Sequence, residues 1–226
     1  MKKQITIGMI MLAGMFRLLQ TSHAQGTVYV SDLGQRSTNS AAVGSDSWLA
    51  IAFSTGTNAG GYQLNSIQLG LTNAVGSPSG FSVMLYSATM SGEAYVGSSL
   101  GTLNGSLNPV AGGVFTYSPA SSLTLLPNTP YFIVLTASSP VATGAYEWSD
   151  TSAIPISYNE RGGWQAPFGI VRIDNYQSSN GSSWVSDYLY PEFAITATAA
   201  PEPAADVLLG LGGLCIFVLH RRFVSA

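Results

Sequence analysis

The chain has 226 residues, 46% hydrophobic and only 8% charged, with a formal net charge of −3. Lys2, Lys3, His23, Cys215 and His220 all lie in the segments 1–24 and 201–226, so residues 25–200 contain no Lys, His or Cys. That removes the imidazole base of Ser-His-Asp and Cys-His catalysis, imidazole and thiolate metal sites and any disulfide framework.

Between residues 25 and 200 three arginines, Arg36, Arg161 and Arg172, face nine acids, a balance of 3 − 9 = −6. An acidic surface of this kind lacks the phosphate-neutralising charge that nucleic acid demands, so no nucleic-acid partner is expected. The length suits one domain with a sizeable core. No GxxxxGK[ST] or GxGxxG motif opens a helix after a strand. No cofactor is expected.

At the N-terminus, Lys2 and Lys3 precede an apolar run over 5–16, and Ser22-His23-Ala24 is a small-x-small triplet. This pattern predicts a secretory signal peptide over 1–24, cut before Gln25, with Arg17 an irregular charge behind the apolar run. Strands then follow one another. The segments 28–31 and 48–54 come first, then Ile67, Leu69 and Leu71 alternating with Gln68 and Gly70. Phe81, Val83 and Leu85 alternate in the same way with Ser82, Met84 and Tyr86, the period of a half-buried strand.

After 114–117, the turn Pro127-Asn128-Thr129-Pro130 launches Tyr131-Phe132-Ile133-Val134-Leu135, which reads as a central strand. Further strands are expected over 145–149, 169–173 and 188–198. Gly, Ser, Asn and Pro cluster at 56–61, 76–80, 104–113 and 178–183, where turns are expected. No 3.6-residue period is convincing between 25 and 200. The class predicted is all-β, an antiparallel β-sandwich of jelly-roll type.

The C-terminal segment 201–226 holds Pro201-Glu202-Pro203, an apolar run over 207–219, and His220-Arg221-Arg222. The run is shorter than the ~20 residues that cross a bilayer comfortably, and Gly210, Gly212 and Gly213 weaken it as a helix. A short hydrophobic helix acting as a transient transmembrane anchor is expected, with the basic pair cytoplasmic and everything before Pro201 outside.

Pro201, Glu202, Pro203, the apolar run, and Arg221 and Arg222 resemble the PEP-CTERM sorting signal of Gram-negative bacteria. The resemblance implies an exosortase as processing partner, inner-membrane anchoring before processing, and delivery to the cell surface or the extracellular exopolysaccharide (biofilm) matrix. Asp206 at the mouth of the run and the presence of only two arginines depart from the pattern.

Residues 28–196 also resemble the choice-of-anchor R domain. The likeness rests on Asp32-Leu33-Gly34-Gln35, Ala52-Phe53-Ser54-Thr55-Gly56, Leu64-Asn65-Ser66-Ile67, Phe81-Ser82-Val83-Met84-Leu85-Tyr86, Leu100-Gly101-Thr102-Leu103, Pro127-Asn128-Thr129-Pro130-Tyr131, and Tyr146-x-Trp148 followed by Thr151-Ser152. It implies a surface ectodomain over 25–200 and no established activity. The expected role is structural or adhesive rather than enzymatic.

Three local chemistries compete with that reading. Trp164, in Arg161-Gly162-Gly163-Trp164, and Trp184, in Asn180-Gly181-Ser182-Ser183-Trp184, are candidates to stack on sugar rings, which would make a carbohydrate-binding module; the alternative is that they fill the core, burying 150–250 Å² each. Glu147 and Asp150 flank Trp148 and offer a glycosidase-like carboxylate pair, against which stands their reading as solvated turn residues. Asp32, Asp46, Asp150, Asp174 and Asp187, with backbone carbonyls, could offer oxygen ligands to calcium, Asp150 and Asp174 being the weak candidates singled out. No DxDxDG loop is present, and isolated aspartates more often cap or bend turns.

Overall fold

The computed structural model describes residues 26–91, 94–151, 158–166, 175–187 and 190–202. The described residues are all-β, and every strand pairing among them is antiparallel. The first strands are β1 (Thr27–Ser31), β2 (Asn39–Val43), β3 (Trp48–Ser54), β4 (Tyr62–Leu71) and β5 (Val75–Gly76). Next come β6 (Ser82–Met90), β7 (Ala94–Asn104), β8 (Gly113–Pro119), β9 (Thr124–Leu125) and β10 (Pro130–Thr136). The last are β11 (Gly144–Asp150), β12 (Asn159–Glu160), β13 (Asn175–Ser178), β14 (Val185–Asp187) and β15 (Phe193–Ala199).

Hydrogen bonding links them in the order β12-β1-β15-β4-β8-β7-β6-β10-β3-β13-β14, while β11 pairs with β2, β4 and β5, and β9 with β4. The first and last strands of the described residues are therefore neighbours, Thr27 opposite Ala197. β7 and β8 are joined by two registered pairs alone, Leu103–Pro119 and Asn104–Ser118. Both sides of that junction feed one core. Val30, Ile67, Leu69 and Ile195 come from one side and Ile51, Phe53, Leu85 and Ile133 from the other.

Period-two alternation assigns the faces. In β3, Leu49, Ile51 and Phe53 enter the main core while Ala50 and Ala52 turn to the opposite face. β10 repeats this with Tyr131, Ile133 and Leu135 against Phe132 and Val134. This explains the unbroken apolar run at 131–135: the strand is covered on both faces. The second face is closed by Tyr176, whose hydroxyl donates to the carbonyl of Ala94 (2.9 Å), and by half-buried Trp48, Met84, Tyr86 and Trp184. Each large apolar side chain so buried contributes roughly 1.5–3 kcal/mol.

The last strand is shorter than the sequence suggested. β15 begins at Phe193, because Pro191 forms only an isolated bridge with Asp150 and Glu192 turns its carboxyl inward. The strand expected at 169–173, the signal peptide at 1–24 and the apolar run at 207–219 lie outside the described residues. Among the described residues, no helix is long and apolar enough to cross a membrane.

Candidate functional site

The two tryptophans singled out in the sequence part company. Gly162 and Gly163 take positive φ (60° and 77°), and the turn closes with the Trp164 N–H on the Arg161 carbonyl (3.0 Å). That turn swings the indole inward. Trp164 is 1% exposed, stacked on Tyr29 (4.8 Å between centroids) and parallel to Phe53 (5.8 Å), with Tyr62 edge-on. A sugar cannot reach either face, so of the two readings of Trp164 core packing holds and sugar stacking gives way.

Trp184 is half-buried against the second apolar face, and its neighbours Ser183 and Val185 line a shallow cleft of about 460 Å³ with Asp46, Gln177, Ser178 and Ser179. The loop carrying Trp184 is pinned by side chains. Ser178 Oγ accepts the N–H of Gly181 (2.9 Å), and Asn180 Oδ1 accepts those of Ser182 (2.9 Å) and Ser183 (3.0 Å). Gly181 lies against the Trp48 ring, where a Cβ would come within 2.8 Å of Cζ3.

The carboxylate pair beside Trp148 is split by the pleat. Trp148 and Asp150 share the inward face of β11, whereas Glu147 projects from the other and accepts from Ser40 Oγ (2.7 Å). Asp150 is instead buried with two acids from elsewhere in the chain, Asp32 at the end of β1 and Glu192 before β15; the three are 4%, 1% and 7% exposed. Burial pushes Asp32 up to about 8, against the Phe193 amide that stabilises its anion, with Glu192 and Asp150 raising it further.

Burial raises Asp150 and Glu192 as well, opposed at Asp150 by the Tyr190 amide. Burial also drives the Tyr158 phenol far above its usual range, aided by the charges of Asp32 and Asp150. The sequence reading passed over Glu192. Its signal was an acid set directly against the apolar run Phe193-Ala194-Ile195.

Asp174 lies outside the described residues, as do Pro203, Arg221 and Arg222. Among the described residues, no group of three His, Cys, Asp or Glu side chains is placed to hold a metal ion. Pro201 and Glu202 are exposed directly beyond β15. The chain reaches them through a fixed exit. The Ala200 N–H donates to the Gly61 carbonyl (3.0 Å), and Asn58 Nδ2 donates to the Ala200 carbonyl (2.9 Å).

Comparison with known protein families, curated proteins and solved structures finds no match.

Proposed function

We propose that this is an exported surface protein of a Gram-negative envelope, anchored briefly in the inner membrane and processed by an exosortase. Its mature part acts structurally or adhesively at the cell surface or in the exopolysaccharide matrix. The observation that carries the reading is the order of Pro201-Glu202-Pro203, an apolar run and Arg221-Arg222, set immediately behind the last strand of an all-β body. We take that body to be a jelly-roll-like antiparallel sandwich, supported by the main core fed from both sides of the two-pair β7–β8 junction.

The test is the intact mass of the protein recovered from the surface or medium of its native host. A mass ending near Pro203, with residues 1–24 also gone, is the expected result. A mass retaining 207–226 overturns the sorting reading.

A second reading is favoured by Trp184, half-exposed beside a cleft that combines apolar surface with the polar side chains of Asp46, Gln177, Ser178, Ser179 and Ser183. Such a cleft suits a neutral glycan better than an anion, since no cation lines it. Quenching of tryptophan fluorescence by a particular glycan, lost in Trp184→Ala, supports a carbohydrate-binding module. A flat response across neutral glycans leaves the structural role alone.

A further inference from the structure

Three separate parts of the chain close on the short segment 190–193. Asp32 Oδ1 accepts the Phe193 N–H (2.7 Å), and the Asp32 N–H returns a bond to the Phe193 carbonyl (3.1 Å). Asp150 Oδ1 accepts the Tyr190 N–H (2.5 Å), and the Thr151 N–H donates to the Tyr190 carbonyl (3.1 Å). Between these two ties, the Glu192 N–H donates to Ser149 (2.8 Å), while its carbonyl accepts from Trp148 Nε1 (2.9 Å) and the Gly70 N–H (3.0 Å). The segment that opens β15 is thus held by two carboxyl groups and contributes a third.

Among the described residues these acids are poorly compensated. Asp32 Oδ2, Glu192 Oε1, Thr151 Oγ1 and Tyr158 Oη are buried without a hydrogen-bond partner there. The titratable groups acting on Asp32 are Glu192 and Asp150, Asp187 acts on Asp150, and Tyr158 is acted on by Asp32, Asp150, Tyr190 and Glu160. Among the described residues, all are acids or phenols. A carboxylate buried in such company carries a large desolvation penalty and like-charge repulsion; a neutral carboxyl avoids both.

We propose that Asp32, Asp150 and Glu192 form a proton-operated lock on the start of β15, closed while the group retains a proton and loosened when all three ionise. Ionisation puts like charges into one dry site beside Phe193, and the weakest response of the fold is to let segment 190–193 move outward into water. The consequence is local. β15 lies between β1 and β4, so mild alkali loosens the entry to that strand before it unfolds the core.

Hydrogen exchange read by mass spectrometry on the full-length chain in mild detergent tests this, with rates corrected for intrinsic exchange. From about pH 5 to about pH 9 the peptide containing Phe193 should lose protection about tenfold or more, one pKa unit of coupling being one factor of ten. Peptides from β6 and β10 should keep theirs. Asp32→Asn retains an oxygen for the Phe193 amide and removes the charge, so its β15 should stay protected at the higher pH. Should that variant fail to fold, Glu192→Gln provides the same reading.

Loss of protection spread equally over β6, β10 and β15, or none anywhere, overturns the lock. So does a β15 that Ca²⁺ protects at the higher pH and EDTA exposes, since the acids would then be cation ligands.

Discussion

At the scale of single residues, the burial of Trp164 and of Asp32 has opposite energetic signs. The indole fills a stack with Tyr29, Phe53 and Tyr62, and Trp164→Ala should cost about 3–5 kcal/mol through the cavity it leaves. Urea unfolding of wild type and variant measures it. A loss below about 1 kcal/mol would mean that the stack contributes little beyond its surroundings. Asp32 works against the fold near neutrality. Its carboxyl is raised from 3.8 to about 8, so the folded state holds a proton that the unfolded chain has released. The stabilisation from that proton is complete below about 4 and is lost as pH climbs through about 8. The thermal midpoint should therefore fall as pH climbs through that window, and Asp32→Asn should flatten the slope.

Neither residue was transparent from its neighbours. Arg161-Gly162-Gly163-Trp164 reads as an exposed polar loop. Only the positive φ angles of the two glycines, with Gly56 lying against them, turn the indole inward. A Cβ on Gly56 would run into the Gly162 carbonyl, so Gly56→Ala should displace the same turn and redshift the Trp164 fluorescence.

At the scale of elements, strands buried on at least one side were legible, and those whose pattern is diluted were not. β3, β6 and β10 show their period or their continuous apolar run directly. β7 was missed because Gly97, Ser98, Ser99 and Gly101 interrupt Ala94–Asn104, and most of its residues face solvent. It is held by pairing with β6 across two register irregularities, information that belongs to the partner strand. β2 is hidden for a similar reason: Asn39–Val43 gains its place from β11. Asp32 and Asp150 could be named from sequence only among five scattered aspartates, and Glu192 not at all, because the group's members lie at the end of β1, on β11 and ahead of β15, far apart in sequence.

The exit from β15 is an element-scale device of the same kind. Asn58 reaches from the β3–β4 loop to both Gly61 (2.6 Å) and Ala200 (2.9 Å), and Gly60 sits against the Pro201 carbonyl. Asn58→Ala removes two buried-end hydrogen bonds worth about 0.5–1.5 kcal/mol each. Limited proteolysis should then cut near Ala200 faster, while the urea midpoint shifts only modestly. Unchanged cleavage would mean that the backbone bond from Ala200 to Gly61 suffices alone.

At the scale of the molecule, the pairing of β1 with β15 makes the fold a closed circuit in sequence. β15 lies between β1 and β4 and supplies Phe193, Ile195 and Ala197 to the core, all fully buried. Deleting it would expose two large apolar side chains worth roughly 1.5–3 kcal/mol each. It would also strip hydrogen bonds from both neighbouring strands. Losses of that size reach the whole ~5–15 kcal/mol of a typical domain, so a chain ending at Asp187 should not fold. The closed circuit has a constructive counterpart. Because Thr27 pairs with Ala197, Gly26 and Ala200 leave the fold side by side. About six Gly/Ser residues, spanning ~13 Å on average, should join them without strain. A permutant joined there and opened between the exposed residues Ala120 and Ser121, in the turn from β8 to β9, keeps every strand pair intact. Its thermal midpoint should lie within a few degrees of the native order's. A permutant that failed to fold would show that β1 and β15 meet only when the intervening strands form in their native sequence, and the adjacency of the two ends would then be a late consequence of folding rather than a support for it.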